Sequence, residues 1–374
     1  MDEFKELIAN RHQYARDWKA RTGGKVLGYF CTYVPEELAY AAGVLPVRIL
    51  GSHEPQDVTE RHIYGMYCPF CRDCLAQGLL GRYEYVDGVA MANTCIHIRQ
   101  AFESWHTHVT SAYGYHINMP AKVHSPFAKT FLTGELGHFK RSLEDWTGKE
   151  ITDQALDEAI ETYNTNRQLL RRIYESRKED NPAVGGAEAM EMVVSSQFTD
   201  KREHNRLLEE ALKGLSQRPR KGEGGIRLIL IGSEDDDTEV LRLTESMGAT
   251  VVVDDHCTGT RYFWNDVLPE KDRLAAVADC YLAKPPCPEK DLEKRRRWPH
   301  ILQLAQDYRV QGALFIQQKF CDPHEFDIPP LIDLFREKLD IPSLFLESDV
   351  TIPVGQFQTR IEAFLEMLRM EELV

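Results

Sequence analysis

The sequence predicts an α/β protein of two small open parallel-sheet, doubly wound domains joined by a helical segment. Short apolar runs alternate with amphipathic helical stretches towards both ends of the chain, the order that builds parallel sheets with helices on their faces. Between them, from about 128 to 215, the periodicity is helical, long and charge-rich, and no strand is needed. The stretch 216–225 is crowded with Gly, Pro and charge and reads as a linker. A chain of 374 residues, 43% hydrophobic and 28% charged, has material for more than one core.

Each element follows in order. Residues 1–24 are an N-terminal unit, a charged amphipathic helix over 1–22 that Gly23-Gly24 stops. The first α/β domain, 25–127, opens with a strand over 25–30. Pro35 and Gly43 punctuate a short helix over 35–42, and an extended apolar run fills 45–50. A helix from about 71 to 80 precedes the strand 86–91, and a helix from about 97 to 106 precedes the strand 111–119. The helical segment and linker cover 128–222, with Ile151-Thr152-Asp153-Gln154 as a helix start. The second α/β domain, 223–374, offers strands at 226–231, 250–253, 313–317 and 343–346, separated by helices near 238–246, 294–308, 328–339 and 354–368. No residue-level repeat links the two domains.

Charge and cysteine usage narrow the function. With 45 Lys and Arg against 59 Asp and Glu, the net charge of −14 disfavours nucleic acid or an anionic membrane as partner. No apolar run approaches a spanning length and the start Met1-Asp2-Glu3-Phe4-Lys5 does not resemble a secretory signal, so a cytoplasmic location is expected. Nine cysteines, an odd number in a long chain, point away from a disulfide scaffold and leave thiolates available for ligation or catalysis.

The sharpest motif is Cys68-Pro69-Phe70-Cys71-Arg72-Asp73-Cys74, a C-x2-C-x2-C spacing also found in iron–sulfur loops. A cubane [4Fe–4S] cluster takes up to four soft thiolates, and Cys31, Cys95 and Cys321 fall just beyond strand ends, where open α/β sheets bind ligands. The same residues also fit a zinc site or buried thiols acting as small apolar side chains. Cys257, Cys280 and Cys287 read as ordinary unligated thiols. His106 and His108 diverge on a helix and read as structural, and Asp235-Asp236-Asp237 reads as a charged, solvated helix start. Arg295-Arg296-Arg297 reads as a solvated basic face, with grip on a coenzyme phosphate as the alternative. There is no G-x-x-x-x-G-K-[ST] and no G-x-G-x-x-G after a strand, which argues against an ATPase and against a nicotinamide or flavin enzyme.

The block Gly28-Tyr29-Phe30-Cys31-Thr32-Tyr33-Val34-Pro35-Glu36-Glu37, followed by Ala41-Ala42-Gly43-Val44-Leu45-Pro46-Val47, resembles the opening of the benzoyl-CoA reductase and 2-hydroxyacyl-CoA dehydratase family. Cys68, the stretch 80–88, Thr94-Cys95, Lys319-Phe320-Cys321-Asp322-Pro323-His324, Glu347-Ser348-Asp349 and the stretch 355–364 are similar to later family blocks in the same order. Overall likeness is greatest to the smaller non-ATPase subunits of ATP-dependent benzoyl-CoA reductases. The resemblance implies an iron–sulfur cluster on Cys68, Cys95 and Cys321. The surplus thiols Cys31, Cys71 and Cys74 would raise the set to six, similar to related double-cubane reductases. It further implies a larger paralogous subunit, an ATP-hydrolysing iron–sulfur activator and an acyl-CoA thioester substrate whose aromatic ring is reduced. The alternatives within the resemblance are a radical 2-hydroxyacyl-CoA dehydratase subunit and a double-cubane reductase of small molecules. A zinc-stabilised scaffold is the non-enzymatic one. His97, Tyr33 and Glu36 are candidate proton donors, with core packing or support of the cysteine loops as their plainer role.

Overall fold

The computed structural model describes residues 2–55, 57–218 and 224–371. The middle of the expected linker, 219–223, lies outside the described residues, as does the expected 222/223 domain boundary. Two four-stranded sheets form, and every strand pairing is parallel. The first holds β1 (Val26–Tyr29), β2 (Leu45–Arg48), β3 (Gly88–Ala92) and β4 (Tyr113–Ile117) in the order β2-β1-β3-β4. The second holds β5 (Ile226–Gly232), β6 (Ala249–Asp255), β7 (Gly312–Gln318) and β8 (Ser343–Ser348) in the order β6-β5-β7-β8. The fold class expected from alternating apolar runs is the one observed.

The first half carries α1 (Asp2–Ala9), α2 (Arg11–Thr22), α3 (Glu36–Ala41), α4 (Pro69–Leu79) and α5 (Ile96–His108). The middle is α6 (Ala128–Thr147), α7 (Asp153–Glu175), α8 (Gly186–Ser196) and α9 (Lys201–Gly214). The second half adds α10 (Glu239–Ser246), α11 (Thr260–Phe263), α12 (Arg273–Ala283), α13 (Arg297–Asp307), α14 (Asp322–Leu339) and α15 (Val354–Glu371). None of the described helices is long and apolar enough to cross a membrane. Thr152 caps α7 where the sequence placed a start, its hydroxyl accepting from the Ala155 N–H at 3.1 Å.

Side-chain alternation assigns each face of each strand. Leu27 and Tyr29 of β1 and Ala90 and Ala92 of β3 face α3, α6 and α12, while Val26, Val89 and Met91 face α2, α4 and α5 through Trp18, Leu75 and Trp105. In the second sheet, Ile229 and Ile231 of β5 and Phe315 of β7 meet α7, α13 and α14. Leu228, Leu230 and Ile316 meet α8, α10 and α15. Burial on both faces is why these strands read as continuous apolar runs.

The elements depart from expectation at several points. The N-terminal helix is two helices broken at Asn10, which leaves the αR well with φ −106° and ψ 18°. The break lets Phe4 of α1 join the core under the second sheet while Ala15 and Trp18 of α2 join the first. Strand β6 continues past Val253 to Asp255, because buried donors satisfy its carboxylates: the Tyr174 hydroxyl donates to Asp254 at 2.5 Å and Arg297 donates to Asp255 at 2.5 Å. Helix α14 starts at Asp322, earlier than the expected 328, with Pro323 in its first turn, and keeps Pro329 and Pro330 inside. Finally α12, which belongs to the second half by sequence, packs on α6 under the first sheet.

Candidate metal centre

In each sheet the crossover reverses direction beside its first strand, between β1 and β3 and between β5 and β7. These are the switch points at which doubly wound sheets open a crevice beyond their carboxyl ends. Here both crevices open onto one cavity of about 80 Å³. Its wall takes Cys31 from beyond β1, Cys95 from beyond β3, Cys257 from beyond β6 and Cys321 from beyond β7, together with Cys68 and Cys71 at the start of α4 and Cys287 after α12. Seven of the nine cysteines therefore face one space.

Backbone geometry explains how they are held. Cys68, Cys95 and Cys321 are the N-cap residues of α4, α5 and α14, and Cys287 caps the 3-10 turn Pro288–Lys290. Proline in the first turn of α4, of α14 and of that 3-10 turn costs no hydrogen bond there and fixes the entry of the chain. A helix N-terminus favours negative charge, so three helix dipoles converge on the thiols. The Cys95 sulfur accepts from the Ile98 N–H at 3.5 Å, Thr94 Oγ1 donates to the Cys31 sulfur at 3.5 Å, and Cys321 Sγ lies 3.3 Å from His324 Nδ1.

Cross-links tie the loops into one wall. The Cys68 N–H donates to His97 Nδ1 at 3.0 Å, and His97 Nε2 lies 3.4 Å from Asp322, so one imidazole joins the N-termini of α4, α5 and α14. Gln318 accepts from the Phe70 N–H at 2.7 Å and donates to the Glu234 carbonyl at 2.7 Å. Arg48, at the end of β2, crosses to Glu234 beyond β5 at 2.9 Å. At Gly232 (φ +152°) β5 runs so close to β7 that a Cβ would strike the Ile316 carbonyl.

Electrostatics separates one thiol from the rest. A hydrogen bond from Cys71 brings Cys68 down to about 6 against the opposing effect of its burial. Burial pushes Cys71, Cys95, Cys257 and Cys321 up, and Cys287 to about 12. Burial likewise keeps His324 well below its ordinary value and His256 down at about 3, so both are neutral at pH 7. Protonated soft donors under an apolar wall fit a group that binds by displacing protons from sulfur, as thiophilic metals do. Among the described residues no three His, Cys, Asp or Glu side chains surround a single point as the ligands of one ion would. The thiols are instead distributed round the wall of the cavity.

The structure brings together Cys31, Cys68, Cys71, Cys95 and Cys321, and leaves Cys74 out. Helix α4 begins at Pro69, so Cys74 sits about 4.5 Å further along its axis than Cys71. It is fully buried in the core, 3.4 Å from the Ile49 carbonyl. Cys257 and Cys287, expected as ordinary thiols, line the cavity. Cys257 obeys the same strand-end rule as Cys31 and Cys95 once β6 is extended to Asp255, and Cys287 shares the Cys-Pro step of Cys68. Cys280 lies elsewhere, on α12 against the Asn265 carbonyl at 3.4 Å. Of the candidate proton donors only Tyr33 lines the cavity; Glu36 faces a separate small one, and His97 stands behind Cys68.

Two charged motifs are corrected. Asp235 is buried, and the Asp236 side chain, 6% exposed, pairs with His53 at 2.9 Å, so they are no solvated helix start. Arg295 and Arg297 pair with Asp327, Arg297 also with Asp255, and Arg296 with Asp291 at 3.2 Å, so the triple-arginine run is spent on carboxylates of the fold.

Comparison with known proteins places this arrangement. Residues 31–368 match the family model described as "2-hydroxyglutaryl-CoA dehydratase, D-component". The chain is 26% identical to the (R)-phenyllactyl-CoA dehydratase beta subunit of Clostridium sporogenes over 98% of both chains. It is 27% identical to a benzoyl-CoA reductase subunit of Thauera aromatica over 86% of both. With the (R)-2-hydroxyglutaryl-CoA dehydratase beta subunit of Acidaminococcus fermentans it shares 26% identity over 98% of both. These relatives are enzyme subunits. The chain belongs to the 2-hydroxyglutaryl-CoA dehydratase D-component family, the family of benzoyl-CoA reductase and 2-hydroxyacyl-CoA dehydratase subunits that its motifs resemble.

Proposed function

We propose that this chain is the iron–sulfur component of a cytoplasmic low-potential reductase, and that its cavity takes a double cubane. The observation that carries the reading is the union of Cys31, Cys68, Cys71 and Cys95 from one domain with Cys257, Cys287 and Cys321 from the other around a single space. One cubane uses four thiolates, so seven are too many for it and suit a fused cluster. Such a group supplies single electrons at low potential. The chain's own contribution is to exclude water, to offer few hydrogen bonds to sulfur and to aim three helix N-termini at the negative charge. Tyr33, buried and pushed well above its ordinary value by that burial, is a reluctant acid that holds its proton at the cavity wall.

The relatives' names favour a second reading, a subunit acting on CoA thioesters; its partners would be the larger paralogous chain and the ATP-hydrolysing iron–sulfur activator that the motif resemblance implies. It would then reduce the ring of benzoyl-CoA or eliminate water from a 2-hydroxyacyl-CoA. Purification without oxygen, iron and sulfide counts and paramagnetic resonance of the reduced protein separate the readings. About eight irons per chain, twice one cubane, is the expected result; about four, with turnover of a CoA thioester on adding activator and partner, would support the second. Protein free of iron and sulfide would overturn both.

A further inference from the structure

Behind Thr32 and Tyr33 the thiol-lined cavity has a small polar neighbour, lined among others by Glu36, Arg167, Tyr262, Tyr281 and Lys284. The acidic and basic side chains around it sort into pairs: Glu36 lies 3.6 Å from Lys201, and Glu37 pairs with Arg167. Two carboxylates meet two cations, and Lys284 is left over. Its residue is 7% exposed, and among the described residues it pairs with no carboxylate. Its ammonium donates to the Thr32 carbonyl at 2.9 Å and rests 4.2 Å from the centre of the Tyr33 ring and 5.5 Å from that of Tyr281. Carbonyl and ring faces hold a cation without neutralising it. Thr32 follows Cys31 in the chain, and Tyr33 itself lines the thiol cavity. Burial pulls the ammonium below its ordinary pKa.

A buried cation with no anion is costly, and a fold that keeps one has a use for its charge. We propose that Lys284 is the built-in counter-charge of an anionic metal–thiolate group in the adjoining cavity, a positioning residue that sets the group's reduction potential. The inference rests on the iron–sulfur reading of the cavity and adds to it a residue outside the thiol set. Each electron accepted there adds one negative charge, and a fixed cation across Thr32 favours that addition in a medium that screens little. In iron-free protein the sign reverses, because the ammonium then has nothing to answer it.

The test uses Lys284→Met, which keeps length and loses charge, Lys284→Arg, which keeps charge, and Lys338→Met on the exposed side of α14 as control. Each full-length protein is prepared without oxygen in iron-loaded and iron-free form. Midpoint potentials are read by paramagnetic resonance during titration with a low-potential reductant, and urea unfolding is read on the iron-free forms. Lys284→Met is expected to shift the one-electron reduction equilibrium about tenfold towards the oxidised form, ~59 mV more negative. Its iron-free form is expected to unfold at higher urea than wild type. Lys284→Arg and the control keep the wild-type potential. An unchanged potential in Lys284→Met, an equal shift in Lys284→Arg, or an iron-free Lys284→Met that is less stable or fails to fold overturns the assignment. Wild-type protein without iron would instead overturn the cluster reading, a failure seen before any variant is compared.

Discussion

Arg167→Met tests the pairing of buried charges on which the surplus at Lys284 depends. Arg167 reaches from α7 to Glu37 on α3, the two side chains 8% and 0% exposed, and it also donates to Asn164 Oδ1 at 3.1 Å. Without the guanidinium, Glu37 keeps the Tyr281 hydroxyl at 2.9 Å but no cation of its own. Deleting one partner of a buried pair costs about 3–5 kcal/mol, a large part of the ~5–15 kcal/mol that holds a folded domain together. The double variant Arg167→Met with Glu37→Gln removes both charges, lets the amide keep the Tyr281 bond, and should recover most of the loss. Urea unfolding of the four iron-free proteins at neutral pH completes the cycle. A cost below about 1 kcal/mol for Arg167→Met, or a double variant no better than the single, would refute the claim that these groups form a closed pair.

Further outcomes are expected. Asp235, pushed by burial up to about 7, binds its proton more tightly folded than unfolded, so its contribution to stability is present at acid pH and lost as pH rises towards 7. Asp235→Asn keeps the bond from the Asp237 N–H and should gain on wild type across pH 4 to 7, by up to about 4 kcal/mol; parallel pH profiles would contradict this. Cys74→Ala should cost roughly 1–2 kcal/mol and leave iron content unchanged, whereas Cys257→Ser and Cys287→Ser should lower it; equal iron in all three would refute the division of the thiols. Gly232→Ala, whose methyl meets the Ile316 carbonyl and not a movable side chain, should destabilise by at least ~2 kcal/mol in thermal melts, and a neutral effect would contradict the close approach of β5 and β7.

Alternation of apolar runs with helical periods was enough to read the two parallel sheets, because strands buried on both faces show as uninterrupted hydrophobic stretches. The strand-end rule found Cys31, Cys95 and Cys321 for the same reason. It missed Cys257 because the carboxylates of Asp254 and Asp255 looked like a strand terminus, and only partners distant in sequence, Tyr174 and Arg297, make their burial tolerable. Cys74 lies off the cavity wall because Pro69 starts a helix where C-x2-C-x2-C reads as a wrapping loop, which turns the third thiol into the core. Asp236 reads as solvated because its partner His53 is distant in sequence. Local pattern reports period and polarity; it is silent on pairs such as Arg48 with Glu234 that exist only after the halves meet.

The exchange of helices has a consequence for assembly. With α1 resting under the second sheet and α12 under the first, neither half is finished until most of the polypeptide has been made. A growing chain exposes Cys31, Cys68, Cys71 and Cys95 long before Cys257, Cys287 and Cys321 emerge. The full sulfur ring is thus complete only once translation has passed residue 321.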